Sequence, residues 1–570
     1  MAVHGRDEGG GEADGAAMSG FAIRPLSGSP LWSISAPYWS PKLNEACRSV
    51  PGMRREPSIR GFVGYVDAVE QAATRLRSMG LNVDEMPSYR VEHHLLASYA
   101  SARAYQKEGI DFGIALAGSG VLLADEMGLG KSFISVRAAR ALRRRTIIVC
   151  PAHVRGVWER PPSGDDPGGE LAKWWPSAVV ARPYGLKPSP IDANADVAVI
   201  HYDIVHAWTT VLLEWFNGGT IIFDEAHVLL SPTSRRSAAC RELARAAAGR
   251  IALTGTPPTD RIRDLYNIVD TVSPGRFGDF FPYALRYCAA AKVDVKAPGG
   301  GTKTVWDFSG RSHVEELRQR LDHFTLRRTK REVMKELPAL TRQVVDVEIP
   351  LGKRVGLSAA LVGDRRKMRA ALDSAADGKL KHVLALAQGH LEAGQRVVVG
   401  TWRREVAERI AAHLGEIAPT KFIHGGVALP RRSKIIDSLR KVDGPCCLVA
   451  NIDCASTGID LTFASVAVMA ELVWEPRDLV QFEARLHRFG ATLPVLVQYV
   501  IARGTGDELI VHAVINKMDN FLELVEKDAG DGIKETLAGE RDEGLKRLAA
   551  ALKKMGAEGQ WREGKAEAAQ

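Results

Sequence analysis

The sequence predicts an α/β protein: two tandem parallel-sheet lobes with a helical insertion between them and a small N-terminal α+β module. Three observations predict it. From about residue 95, short apolar strands alternate with helical stretches, the pattern of a parallel sheet covered on both faces. Each strand ends where a polar loop begins, which is where open α/β sheets place ligands. The same alternation starts again after about residue 345, so the architecture occurs twice.

Residues 1–20, rich in Gly, Ala and acids, have too little apolar surface to offset ordering entropy and are expected to be disordered. A small module follows over 21–90. Residues 31–36 alternate like a strand, 41–50 fit a helix ending at Pro51-Gly52, 60–65 resume extended structure, and Asp67 is expected to cap a helix through Arg77. The first lobe spans 95–260, with strands expected at 121–124, 146–150, 197–200, 220–223 and 251–254. A mostly helical insertion and linker spans 261–345, broken by a Gly-rich loop at 298–301. The second lobe spans 346–525, with strands at 396–400, 421–424, 446–450, 466–469 and 496–500. The tail, 526–570, reads as a frayed, solvated helix or disordered chain.

Composition narrows the classes. A chain of 570 residues, 45% hydrophobic and 25% charged, is ordinary globular material with length for several cores. No apolar run approaches the ~18 residues of a membrane span and the N-terminus has no apolar signal region, so a cytosolic chain with no membrane partner is expected. The seven cysteines form no C-x-x-C pair, which argues against structural zinc and a disulfide framework. Cys446 and Cys447 read as buried strand thiols. A formal charge of +8, from 76 basic against 68 acidic residues, agrees with a polyanion partner without identifying one.

The chemistry begins at Asp125-Glu126-Met127-Gly128-Leu129-Gly130-Lys131-Ser132, between a strand and a helical pattern. There, backbone N–H groups and the helix N-terminus surround phosphate oxygens, Lys131 neutralises the terminal phosphates, and the Ser132 hydroxyl ligates Mg²⁺. Asp125 stands where the phosphate-loop pattern normally has its first glycine. Phe223-Asp224-Glu225-Ala226-His227 follows a second buried strand. Asp224 would hold Mg²⁺ through water, and Glu225 would orient and deprotonate the water attacking the γ-phosphate of ATP. An acid pair capping its own helix is the bland alternative.

In this order the residues resemble the Swi/Snf-type DNA-dependent ATPases of helicase superfamily two, from about residue 95 to 525. The resemblance implies two RecA-like lobes that close on ATP, and within that family Asp125 is normal. Tyr105-Gln106-Lys107-Glu108-Gly109 looks like the adenine-reading motif, with Gln106 as the contact. Val149-Cys150-Pro151-Ala152-His153, with Trp158, matches a motif on the DNA-tracking face. Residues 160–169 look like an inserted surface loop before Trp174-Trp175, for which core packing is favoured over base stacking. Leu253-Thr254-Gly255-Thr256-Pro257 resembles the coupling motif, in which His227 and Gln481 also take part.

Ile423-His424-Gly425-Gly426, the stretch 455–461 and the stretch 481–490 resemble the second-lobe motifs. They imply that Gly458 and Asp460 face nucleotide, and that Thr457 and Trp474 join His153 on DNA. Arg485 and Arg488 lie three apart, so on a helix they share a face and reach a γ-phosphate from the opposite lobe. Ala491 stands where the family usually has glutamine. A closer resemblance, to the annealing-helicase branch that remodels forks and rewinds strands, rests on Trp306-Asp307-Phe308-Ser309-Gly310, Glu316-Leu317, Leu326-Arg327-Arg328-Thr329-Lys330 and Glu336-Leu337-Pro338. Tyr38, Val50-Pro51-Gly52 and Arg60-Gly61-Phe62 loosely resemble the HARP-type module that precedes the motor there; a plain α+β cap is an equal reading.

The expectation is an ATP-dependent translocase on double-stranded DNA that remodels or anneals branched DNA. It would act as a monomer, alongside replication or repair proteins, in the cytoplasm of a bacterium or a virus-infected bacterial cell. One alternative is a strand-separating DNA or RNA helicase, against which stand Thr254-Gly255-Thr256 and the lack of an evident strand-splitting pin. Another is a DNA-binding scaffold with a vestigial ATPase, against which stand intact Lys131, Asp224, Glu225, Arg485 and Arg488.

Overall fold

The computed structural model describes residues 21–26, 29–36, 40–85, 102–163, 167–255, 262–296, 301–349, 365–455, 459–503, 505–508, 510–511 and 514. The expectations for 1–20 and for the tail 526–570, and Tyr38, lie outside these residues. Two compact units divide the chain: Met1–Arg90 with Arg276–Asp279, and Val91–Gly275 with Phe280–Gln570.

The smaller unit is an antiparallel sheet in the order Ala22–Pro25, Leu31–Ser35, Gly61–Tyr65, Arg54–Glu56. Helices Pro41–Arg48 and Val66–Ser78 share with it a core built on Trp32, Ile34, Leu43, Cys47, Phe62, Val69 and Leu76. Gly61 is forced by close approach, since a Cβ there would fall 2.2 Å from the Ile34 carbonyl oxygen. Asp67 does not cap its helix. Tyr65 is the N-cap and makes no side-chain cap bond, whereas Asp67 is buried and accepts from Arg276 Nη1 at 2.7 Å. A buried carboxylate is stabilised far more by a guanidinium than by free amides at a helix start.

The larger unit holds two parallel sheets. The first runs Thr325–Leu326, Val121–Leu123, Gly249–Leu253, Thr220–Phe223, Thr146–Cys150, Val197–His201, Val180–Ala181. The second runs Leu340–Val347, Val495–Ala502, Val466–Met469, Val397–Thr401, Cys447–Asn451, Thr420–Ile423. The central strands are apolar on both faces and fully buried, as helix-covered parallel sheets require.

Three elements depart from expectation. Thr325–Leu326 joins the first sheet from within the stretch expected to be an insertion. Leu340–Val347 is an edge strand of the second sheet and runs through the boundary expected at 345. The Gly-rich loop sits between Ala291–Lys296 and Thr302–Asp307, which pair as an antiparallel hairpin where mostly helix was expected. Ala291–Lys296 alternates apolar with polar residues, and Thr302–Asp307 is rich in the β-branched and aromatic residues that favour strands.

Candidate active site

Strand Val121–Leu123 delivers the chain into a loop that turns through left-handed backbone at Gly128 (φ 90°) and Gly130 (φ 85°). Gly130 is the N-cap of helix Lys131–Leu142. The left-handed backbone at Gly130 favours glycine, and a Cβ there would displace the Gln106 amide, 2.7 Å away at Nε2. Loop amides and the helix N-terminus together form an anion-accepting concavity. Lys131 Nζ donates to the carbonyls of Asp125 (2.7 Å) and Glu126 (3.4 Å). Desolvation lowers its pKa to about 8 against the attraction of Glu225 and Asp125. An ammonium so placed is stabilised by a phosphate.

The acid pair follows strand Thr220–Phe223, two strands over in the same sheet. Desolvation and the neighbouring Glu225 raise the Asp224 pKa to about 7, against the indole N–H of Trp158, which donates to Asp224 Oδ2 at 2.7 Å. Tyr202 Oη donates to the Asp224 carbonyl at 2.8 Å. Glu225 takes a left-handed φ of 50°, rare for a residue with a side chain, and its amide donates to Asp224 Oδ1 at 3.0 Å. Desolvation alone would raise the Glu225 pKa, but His227, Lys131 and Arg485 together hold it below the usual value. His227 Nδ1 stands 3.2 Å from Glu225 Oε2, yet neither buried atom makes a proper hydrogen bond. A carboxylate oxygen held ionised and unsatisfied suits a water poised for attack.

These residues fit a magnesium nucleotide. Among the described residues no group of three or more His, Cys, Asp or Glu is arranged to hold a metal ion by itself. The ion would take Ser132 and Asp224 together with phosphate oxygens and water, the sparse protein ligation usual for Mg²⁺.

From the second sheet comes helix Pro476–Leu486, with Arg485 in its last turn. Desolvation and Arg488 lower the Arg485 pKa to about 10, while Glu225, Asp460 and Asp224 pull it back up. The arginine therefore stands within electrostatic reach of the acid pair. Arg488 does not share its helical face as expected. The helix ends at His487 (φ −98°, ψ 84°), whose Nε2 lies 2.8 Å from the Pro338 carbonyl oxygen, so Arg488 lies beyond the helix. It still reaches the phosphate loop: a Cβ on Gly128 would lie 3.5 Å from Arg488 Cβ.

Four residues to which sequence reasoning gave no part in the nucleotide site organise it. Arg328 clamps the buried Asp125 carboxylate through Nε (3.0 Å) and Nη2 (2.6 Å). The carboxylate of Asp125 thus positions the loop rather than facing nucleotide. Arg327 donates to the carbonyls of Ala124 (2.8 Å) and Gly255 (3.3 Å). Lys330 bridges the lobes: its amide donates to Glu126 Oε2 at 2.6 Å, and its Nζ donates to the His487 carbonyl at 2.6 Å. Trp158, which the resemblance placed on the DNA face, is buried and holds Asp224. The signal was present in Leu326-Arg327-Arg328-Thr329-Lys330, but its partners are backbone carbonyls and loop acids that only the fold brings near.

Two variants follow from these contacts. Arg328→Met leaves Asp125 buried and unpaired, and is expected to cost about 3–5 kcal/mol of stability, read by urea denaturation. Lys330→Met removes the bridge and is expected to slow ATP turnover roughly ten- to a hundredfold with little change in KM, read by steady-state kinetics.

The remaining expected residues are placed as follows. Gln106 accepts from the Arg103 amide (3.1 Å) and donates to the Leu129 carbonyl (3.4 Å), so its amide braces the loop. Met127 and Leu129 are buried beneath it. Thr254 is buried, and a Cβ on Gly255 would lie 2.5 Å from Met127 Cγ, which sets the coupling motif against the phosphate loop. Burial would raise the Asp460 pKa, but bonds from Thr462 (2.9 and 2.8 Å), with Arg488 and Arg440, hold it low. Gln481 is buried in its helix, and Trp474 packs on the second-lobe core. Desolvation lowers the His153 pKa, opposed by Glu225 and reinforced by Arg432 of the second lobe. Trp174 meets Phe133 edge-on at 4.7 Å, the core packing that was favoured. Thr256, Thr457 and Gly458 lie outside the described residues.

Nucleotide chemistry divided between two parallel sheets is the arrangement of helicase-type ATPase cores, and that is the class of this architecture. The family follows from comparison with known proteins. Residues 105–355 match the SNF2-related domain and residues 378–490 the helicase conserved C-terminal domain. The chain belongs to the SNF2 family of helicase-like ATPases. It is 27% identical over 492 residues to the SWI/SNF-related matrix-associated actin-dependent regulator of chromatin subfamily A-like protein 1 of Xenopus tropicalis, covering 82% of this chain and 49% of that one. With the Caenorhabditis elegans homolog the figures are 31% over 452 residues, 73% and 60%. With the DNA annealing helicase and endonuclease ZRANB3 of Mus musculus they are 28% over 445 residues, 72% and 40%. The chain spans about half the length of these curated relatives. They come from a frog, a worm and a mouse, which overturns the expectation of a bacterial or phage protein in a bacterial cytoplasm.

Proposed function

We propose that this chain is an ATP-driven translocase on double-stranded DNA that remodels or anneals branched DNA. The observation that carries the reading is the approach of the second lobe to the phosphate loop: a Cβ on Gly128 would lie 3.5 Å from Arg488 Cβ, and Lys330, bound to Glu126, donates to the His487 carbonyl at 2.6 Å, with Arg485 in electrostatic reach of Glu225. Lys131 neutralises the terminal phosphates, Ser132 and Asp224 hold Mg²⁺, and Glu225 takes a proton from the attacking water. Bound Mg²⁺ supplies charge neutralisation at the phosphate oxygens. Arg485 and Arg488 stabilise the charge that develops on the transferring phosphoryl group. Because the arginines and the acids sit on different lobes, hydrolysis requires closure. Nucleotide state then sets the distance between two grips on DNA, and hydrolysis becomes movement. A relative named as a DNA annealing helicase supports branched DNA as substrate.

Phosphate contacts would provide most of the affinity, so activity is expected to fall with salt and to be nearly indifferent to sequence. The test is ATP hydrolysis with duplex, forked and single-stranded DNA and with RNA. Strongest stimulation by duplex or forked DNA is expected; strong stimulation by RNA alone overturns the reading.

A further inference from the structure

The hairpin of Ala291–Lys296 and Thr302–Asp307 belongs to neither lobe's sheet, and most of its stem is exposed. On this solvated ribbon Trp306 stays 39% exposed even though Phe281, itself 43% exposed, meets it edge-on at 5.1 Å. Phe308 lies nearly parallel to the indole, 12° apart with centroids at 6.4 Å, so the ring is held in a fixed orientation. Lys292 stands directly opposite Trp306 in the register, hence on the same face, with its Nζ 5.6 Å from the indole centroid. The base of the hairpin is fixed as well. Asp307 accepts from the amide and hydroxyl of Ser309 (both 2.9 Å), and a Cβ on Gly310 would lie 3.0 Å from the Cys288 carbonyl oxygen. None of these residues takes part in the nucleotide site.

An oriented, exposed aromatic beside a cation suits a flat ligand flanked by anionic charge: a nucleobase stacks on the ring and its phosphate meets the ammonium. Stacking needs a base that is not already paired and stacked within a duplex. We propose that the Trp306 face of this hairpin reads branch points, stacking on the first unpaired base where a duplex opens, with Lys292 on the adjoining phosphate. The inference rests on the translocase reading above and names the feature of branched DNA that the chain recognises.

The test uses the full chain, Trp306→Ala and Trp306→Phe, titrated at fixed salt. The ligands are a fork carrying 2-aminopurine as its first unpaired base and a blunt duplex of equal length; duplex-stimulated ATP hydrolysis is measured alongside. Trp306→Ala is expected to lower the fork-over-duplex preference about tenfold and to remove the 2-aminopurine fluorescence change. Duplex-stimulated hydrolysis is expected to stay within about twofold of the parent, and Trp306→Phe to restore most of the preference. Preference and fluorescence unchanged in Trp306→Ala, as a protein-docking face would give, overturn the proposal. If the parent chain's hydrolysis is not stimulated by DNA, the translocase reading fails while the fork titration still decides the hairpin's role.

Discussion

Arg485→Ala is expected to lower DNA-stimulated ATP turnover by about 10³–10⁵-fold, the effect of removing an arginine finger. The charge it would neutralise develops only in the transition state, so nucleotide affinity should change far less than turnover. Arg485→Lys is expected to recover little, because a compact ammonium lacks the planar fork that spans two phosphate oxygens. The position is desolvated, with the acid pair pulling on its charge, and removal also leaves Glu225 without one of the cations that keep it ionised. Single-turnover kinetics, with nucleotide binding measured separately, check this. Turnover within tenfold of the parent would remove the second lobe from the chemistry.

Glu225→Gln is expected to lower turnover by about 10²–10⁴-fold, the usual worth of a general base. Glutamine keeps the size and the acceptor oxygen but does not take a proton. Binding of ATP and of DNA should survive, which separates lost chemistry from lost folding. Asp224 is the less suitable base because its carboxylate oxygens are already engaged, one accepting from the Trp158 indole and the other from the Glu225 amide. Turnover near the parent rate in Glu225→Gln would exclude Glu225 as the base.

Central strands were legible from sequence almost to the residue, as at Thr146–Cys150, Thr220–Phe223 and Val466–Met469. They are unbroken apolar runs between polar loops, and burial on both faces leaves no competing pattern. The edges were not legible. Thr325–Leu326 is too short to show a period, and Leu340–Val347 is half polar because one side has no neighbour. The phosphate loop and acid pair were legible because their chemistry needs particular residues in a fixed local order. What escaped was set by distant partners. Asp67 reads as a cap until Arg276, 209 residues away, takes its carboxylate. Arg488 reads as helical until Pro338 and Lys330 engage His487 and end the helix. Lys330 lies in a motif the sequence shows, but its task does not, since the two groups it joins lie on different lobes.

The central claim is that hydrolysis at a site completed by both lobes moves the protein along duplex DNA. Triplex displacement tests it most directly: a third strand annealed to a duplex is released only when a motor tracks along that duplex. The expected result is release by the parent chain with ATP and Mg²⁺, and none with a non-hydrolysable analogue or with Arg485→Ala. ATP hydrolysis stimulated by duplex DNA without any third-strand release would contradict it.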